Sequence, residues 1–491
     1  MRFLRQFAPF LLPLMVLLAV ACTRDSEGPP EEATPTPTPE AIGTIVYSGQ
    51  WQGIGGTYML TLGSNQVDSL SDVQTNVLQT SGYADEFLFV HQTGKVYLAP
   101  FSSADVRQVA DAYQAFLSPN GRKFFYNDPN GGGLYEGVAA GYGGLLFAAD
   151  GAFGSHSPDL QMVAYLSAAG PVLASADGSS APLVIDLAPL LFPDEQFVIP
   201  TSGDFFPRWT PDGSMVAVPL LVEHTPSGFQ RQLFVVLDTT GQRVVDISNG
   251  SEPIWNADGT AVYFLSNQQL YVFNFTEETT ALIAGGGNTT CRQARLSDDG
   301  ARLAFIQEDS VGFLSLIAMD LETSTPTTVL PGSADGVLAM DWVRSSYCAN
   351  ENNTAPSLAV AVLIDGVATE NPVVTPQVTA ELRLSVSDDE CNLEFGTAIW
   401  QTGDGIWHPL TAALPAGSGC NQSQVVVPVP ANENGSYNLT VSVEDVCGTR
   451  STDVTFAISY DGFSGDDDTT DDDTADDDTA DDDTIDDDTT Y

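Results

Sequence analysis

The sequence predicts an all-β chain, a β-propeller followed by a smaller β-sandwich, on three observations. One turn phrase recurs between residues 116 and 300 at the spacing of propeller blades. Apolar residues beyond the N-terminal segment alternate at period two, without a helical i, i+3, i+4, i+7 stripe. After residue 355 the phrase stops while the alternation continues. The 491 residues are enough for two or three domains, and 43% hydrophobic residues can fill real cores.

The chain opens with Arg2 and Arg5, then an apolar run from Phe7 to Ala21 that is too short to span a bilayer. Residues 1–21 have the layout of a secretory signal. Leu18-Ala19-Val20-Ala21-Cys22 resembles the bacterial lipobox, with Ala19 where that family usually has Leu. The resemblance implies that Cys22 is lipidated and becomes the mature N-terminus. The alternative is ordinary cleavage after Ala19-Val20-Ala21, with Cys22 incidental. Residues 22–42 are rich in Pro, Thr and Glu and predict a stiff, extended tether. The expectation is a lipid-anchored protein of the cell envelope, meeting the membrane only through that lipid.

Charge narrows the partners. With 16 basic against 65 acidic residues, the net charge is -49. Nucleic acid is excluded as a ligand, because phosphates need clustered Lys and Arg. The acidic surface reads as solubilising rather than as a face for a basic partner.

Residues 43–347 carry the repeats. Arg208-Trp209-Thr210-Pro211-Asp212-Gly213 precedes the apolar Met215-Val216-Ala217-Val218. Phe116-Leu117-Ser118-Pro119-Asn120-Gly121, Ile254-Trp255-Asn256-Ala257-Asp258-Gly259 and Arg295-Leu296-Ser297-Asp298-Asp299-Gly300 repeat the pattern, and Ser157-Pro158-Asp159-Leu160 is a weaker copy. Pro presets φ, Asp or Asn bonds the backbone ahead and Gly takes the left-handed position, so each phrase predicts a hairpin. Anchors at Ser118, Ser157, Thr210, Asn256 and Ser297 lie 39, 53, 46 and 41 residues apart, the period of four-stranded blades. Two earlier units, around Thr44–Leu62 and Tyr83–Val90, are degenerate, and Val337–Val343 has one strand and no hairpin. A first unit lacking its opening strand and a last unit consisting of one predict closure by strand exchange. That count gives seven blades, with six or eight as alternatives. The phrase resembles the TolB-type propeller repeat, which also occurs in relatives of prolyl oligopeptidase, over about 300 residues.

The expected function is non-enzymatic binding of a protein or glycan at the propeller rim or axis. No Gly-x-Ser-x-Gly elbow, His-Glu-x-x-His pattern or Cys-x-x-Cys pair is present. His91, His156, His224 and His408 stand singly and read as surface or packing residues. Two other readings stand beside binding. One is a hydrolase or lyase of glycan or peptide using carboxylates at the axis. The other is a TolB-like envelope-maintenance component, although that family carries another domain where this chain has only the tether. Because the phrase answers to its turn, binding is expected in the loops between anchors, above all from Ser157 to Thr210.

After a polar linker, 348–355, residues 356–460 hold six or seven alternating segments that predict an antiparallel sandwich. Gly435-Ser436-Tyr437 leading to Val441, Val443 and Asp445 resembles the penultimate strand of bacterial immunoglobulin-like and cadherin-like domains. Five cysteines follow Cys22, in keeping with an oxidising compartment. Cys391 is expected to pair with Cys447, with Cys391 to Cys420 as the alternative, and Cys291 with Cys348. Asp388, Asp389, Glu390, Glu444 and Asp445 fall in two loops at one end and suit either plain turns or calcium, the one cofactor considered. Residues 461–491 repeat Asp-Asp-Asp-Thr five times and predict a disordered spacer.

Overall fold

The computed structural model describes residues 43–80, 86–101, 106–129, 132–333, 336–343, 354–388, 393, 396–410, 414, 423–430, 434–445 and 447–462. The signal segment, Cys22, the tether, Cys348, Asp389, Glu390, Cys391, Cys420 and residues 463–491 lie outside them.

Seven antiparallel sheets succeed one another along the chain as blades. The second to seventh begin with the innermost strands Val77–Thr80, Ala115–Leu117, Gly151–His156, Arg208–Trp209, Ser251–Trp255 and Thr290–Leu296, and each continues outward as a meander. The first blade takes its innermost strand from the far end of the repeats: Val337–Trp342 pairs with Thr44–Trp51, with Tyr47 opposite Met340. Innermost strands of neighbouring blades touch around the ring, and Val337–Trp342 touches those of the second and seventh blades. The ring is therefore a closed seven-bladed propeller, sealed by strand exchange. The single helical turn described, Ala188–Leu190, is 3-10.

The repeat phrase folds the same way each time. The anchor side chains of Ser118, Ser157, Thr210, Asn256 and Ser297 accept from the backbone N–H five residues on, at 2.8 to 3.1 Å. Two residues after the anchor, Asn120, Asp159, Asp212, Asp258 and Asp299 each accept from the backbone N–H two further along. The fourth position needs positive φ: Gly213 takes +72° and Leu160, where the copy lacks glycine, takes +61°. Apolar strands then pack blade against blade, as where Phe234 meets Phe264 edge-on at 5.6 Å.

The fifth blade departs from the others. Its strands Met215–His224 and Phe229–Asp238 are each ten residues long, and Glu195–Val198 pairs with the added half of the first. The long interval from Ser157 to Thr210 supplies that extra strand and then a segment, 199–207, that enters the axis.

The second domain is a sandwich. One sheet runs Val367–Ala368, Ser357–Ile364, Ala380–Ser387, Ser423–Pro428, and the other Val373–Val374, Val454–Tyr460, Gly435–Glu444, Thr397–Gln401, His408–Pro409. Leu382, Leu384 and Val386 from one sheet and Leu439, Val441 and Val443 from the other fill its core, as their alternation requires. It leans on the third blade. Arg122 reaches Glu444 at 3.3 Å and Gly448 O at 3.5 Å, and Tyr142 N–H donates to Trp407 O at 2.8 Å.

Candidate functional site at the propeller axis

A cavity of about 360 Å³ sits on the axis and takes lining from every blade: Thr80, Phe116, His156, Arg208, Trp255, Arg295 and Asp341 are one residue from each. It lies where the innermost strands end and the repeat hairpins begin, so Pro119, Pro158, Pro211, Ala257 and Asp298 form its mouth. Exposure falls with depth, from exposed Pro211 and Ala257 to buried Trp255 and Asp341.

The strand register aims these side chains. The residue directly before the anchor, and Trp342 at the end of the closing strand, pack between blades and tie them: Trp209 Nε1 donates to Ser155 O at 3.3 Å, Trp255 Nε1 to Arg208 O at 2.8 Å, and Trp342 Nε1 to Arg295 O at 3.0 Å. Two residues before the anchor stand Phe116, Arg208 and Arg295. Four before it stand Phe153, Glu252 and Gln293, each in a left-handed bulge at φ +55°, +50° and +41°. Positive φ at these non-glycine residues is strained.

The floor is ionic. Asp204, in the segment entering the axis, takes Arg208 Nη2 at 2.6 Å and Arg295 Nη2 at 3.4 Å. Arg295 Nε lies 4.0 Å from Asp341 Oδ1, and Asp341 Oδ2 accepts from the Thr80 N–H at 2.8 Å. Phe116 stacks on Phe206 at 4.9 Å and carries the Arg208 guanidinium 4.4 Å above its ring. Burial raises the Asp204 carboxyl, but Arg208 and Arg295 outweigh it and hold the group below its usual range. Glu252 goes the other way. Burial first, then the Asp204 charge, push it up to about 7, and its Oε2 has no hydrogen-bond partner. Below that value the layer holds two guanidiniums against two carboxylates and is electrically balanced.

His156 stands in the wall at the position occupied by tryptophan in the fifth and sixth blades. Its Nε2 lies 2.5 Å from Glu136 Oε1, both side chains are 1% exposed, and its ring stacks on Phe125 at 4.4 Å. Burial lowers its pKa against the pull of Glu136, and burial likewise lowers that of Lys123 beside Glu136. Nδ1 of His156 has no hydrogen-bond partner. The expectation of a packing histidine holds for its burial, yet the ring also borders the cavity.

A second cavity, about 530 Å³, adjoins the extended fifth-blade hairpin and is lined by Phe229, Arg231, Glu252, Cys291 and Arg292 among others.

The sequence reading placed binding between anchors, whereas the cavity is built from the phrases themselves. The interval from Ser157 to Thr210 contributes its plug. Asp204, Glu252 and Asp341 escaped notice because nothing in one sequence distinguishes an axial carboxylate from the other 62 acidic residues. A signal did exist for the arginines: two of only 16 basic residues share one repeat position.

Among the other expected residues, Cys291 is a free, buried thiol, so its expected bond to Cys348 is not made. It lies in the core shared by the sixth and seventh blades, with Leu270, Leu303 and Phe305. Cys447 is disulfide-bonded, to a partner outside the described residues. Of the acidic residues considered for calcium, Glu444 pairs with Arg122, and Asp445 accepts from the Thr449 N–H at 2.8 Å. Asp388 is buried. Among the described residues no group of three or more His, Cys, Asp or Glu is placed to hold a metal ion, and no helix is long and apolar enough to cross a membrane.

No protein-family model matches the chain, and a comparison with curated proteins finds no match. Solved structures that match include the 6-phosphogluconolactonase candidate of Bacteroides uniformis, at 12% identity and TM-score 0.39, covering 61% of this chain and 99% of that one. A nidogen/laminin complex matches at 12% identity and TM-score 0.33, covering 62% of this chain and 100% of that one.

Proposed function

We propose that this protein is a lipid-anchored binding module of the cell envelope, held through Cys22 and the 22–42 tether, whose propeller takes its ligand in the axial cavity without catalysing a reaction. The observation that carries the reading is that one cavity draws lining from all seven blades and has Arg208 and Arg295, both ion-paired to Asp204, in its wall. A concave, mostly apolar pocket with a few fixed polar groups is the usual form of a ligand site. The arginines and two of the carboxylates are engaged with one another, which favours recognition over acid–base chemistry. The uniform turn geometry supports reading the ring as TolB-type, and the two-sheet core supports an immunoglobulin-like sandwich.

One observation favours catalysis instead: Glu252, raised to about 7, has the protonation behaviour of a general acid and lines the second cavity. The binding reading predicts that envelope extracts supply a ligand that wild-type protein retains and an Ala257→Tyr protein, obstructed at the mouth, does not. Equal retention by both sinks it, and turnover of a glycan or peptide that vanishes in Glu252→Gln favours the enzyme. For the anchor, Cys22→Ala is expected to move the protein from the membrane fraction to the soluble one; a variant still in the membrane refutes lipidation there.

A further inference from the structure

We infer that the ligand of the axial cavity is the uncharged end of a saccharide chain, entering end-on from the hairpin face. The inference rests on the cavity being the binding site and adds the chemistry of the occupant.

Asp204 bridges Arg208 of the fifth blade to Arg295 of the seventh, and Phe206 stacks on Phe116 of the third, so this segment spans the axis behind the lining residues; with Pro211 and Ala257 exposed at the hairpins, a polymer enters by its terminus. Its volume of about 360 Å³ lies near the lower limit for small-ligand pockets, which suits one or two sugar rings better than a folded loop.

Charge decides among termini. A free peptide end carries an ammonium or a carboxylate, and burying either calls for an opposite charge in reserve. Below about pH 7 the floor holds none: Arg208 and Arg295 face Asp204 and Asp341, and the neighbouring Glu252 is protonated, so no net charge is left for an ionic ligand. A saccharide end is neutral, with hydroxyls that both donate and accept. Paired guanidiniums and carboxylates in a fixed plane match such hydroxyls, while the proline and aromatic walls match the apolar C–H face of a pyranose.

The test is calorimetric titration of the full-length protein with neutral trisaccharides (maltotriose, cellotriose, mannotriose and the trimer of N-acetylglucosamine), beside peptides with free and with blocked termini. Saturable binding of at least one saccharide at about 1 mM or tighter, weakened at least tenfold by Ala257→Tyr, is the expected result. Ala257 is exposed, and an unchanged circular-dichroism spectrum and melting temperature establish that the variant folds before its binding is compared. Absence of saccharide binding alongside peptide binding that Ala257→Tyr abolishes overturns the saccharide inference and leaves the cavity as the site. Saccharide binding indifferent to Ala257→Tyr overturns the axial site itself, and no binding of any probe overturns the inference.

Discussion

Asp341 and Thr80 meet at the seam of the ring. The Thr80 N–H donates to Asp341 Oδ2 at 2.8 Å, and the Thr80 hydroxyl donates to the carbonyl of Trp342. The partners are 261 residues apart, the last strand of the propeller and the first of its second blade. The same carboxylate receives the Trp342 N–H at 3.0 Å and faces Arg295. Asp341→Ala would strip a buried donor of its acceptor and leave Arg295 with Asp204 alone. Removing one partner of a buried charged pair exposes the desolvation penalty of the other, so the expected loss is about 3 kcal/mol in urea unfolding. A loss under about 0.5 kcal/mol would mean that the seam does not depend on this carboxylate.

Glu252 makes stability depend on pH. Its folded pKa of about 7 exceeds the ordinary glutamate value of 4.5, so between those values the folded chain binds more protons than the unfolded one. Stability attached to this group is intact below pH 4.5 and is lost as pH rises toward 7. Glu252→Gln removes the dependence. At pH 8 the variant is expected to be the more stable by about 2 kcal/mol, a figure discounted for partial solvent access, and at pH 4 the two should agree. Thermal melts across that range check it; a constant offset between the proteins would show that Glu252 titrates normally.

The ring itself was readable because its determinants are local. Thr210, Asp212 and Gly213 satisfy backbone groups within five residues, and a repeat of such a phrase counts blades without any knowledge of contacts. Even the seam showed, since Val337–Val343 carries the strand pattern with no copy of the turn phrase after it in the sequence. The site depends on relations the sequence does not display. Arg208 acquires its role by meeting Phe116 two blades back and Asp204 in the plug, and Glu252 by a bulge whose left-handed residue is not a glycine. Cys291 looked like a partner for Cys348 because sequence proximity to the linker says nothing about which side of a blade a residue faces.

Arg122 and Gly141 hold the sandwich to the third blade. Arg122 is 18% exposed and reaches Glu444, and a Cβ on Gly141 would lie 2.4 Å from the Trp407 carbonyl oxygen. Trp407 is fixed in turn by Arg450, whose guanidinium carbon sits 3.4 Å from the ring centroid. Gly141→Ala therefore forces backbone apart where Tyr142 N–H and Trp407 O now bond. Each domain keeps its own core, so the expected outcome is two folded domains with a loosened junction: faster proteolytic cleavage in the 348–355 linker and an increased radius of gyration by small-angle scattering. Unchanged cleavage would show that the contact is incidental.

Cys291 offers a test of the correction to the disulfide assignment. Its thiol is 1% exposed and burial pushes its pKa up to about 11, so both access and thiolate population are low. Attack on iodoacetamide requires the thiolate, and at pH 8 a group titrating near 11 is ionised in about one molecule per thousand. The native protein should leave Cys291 unlabelled over hours, with labelling appearing in step with unfolding as urea is raised. In non-reducing peptide maps the Cys291 peptide should run alone. Recovery of that peptide joined to the one bearing Cys348 would restore the bond, and rapid labelling in the native state would mean that the second cavity admits reagent to the sulfur it borders.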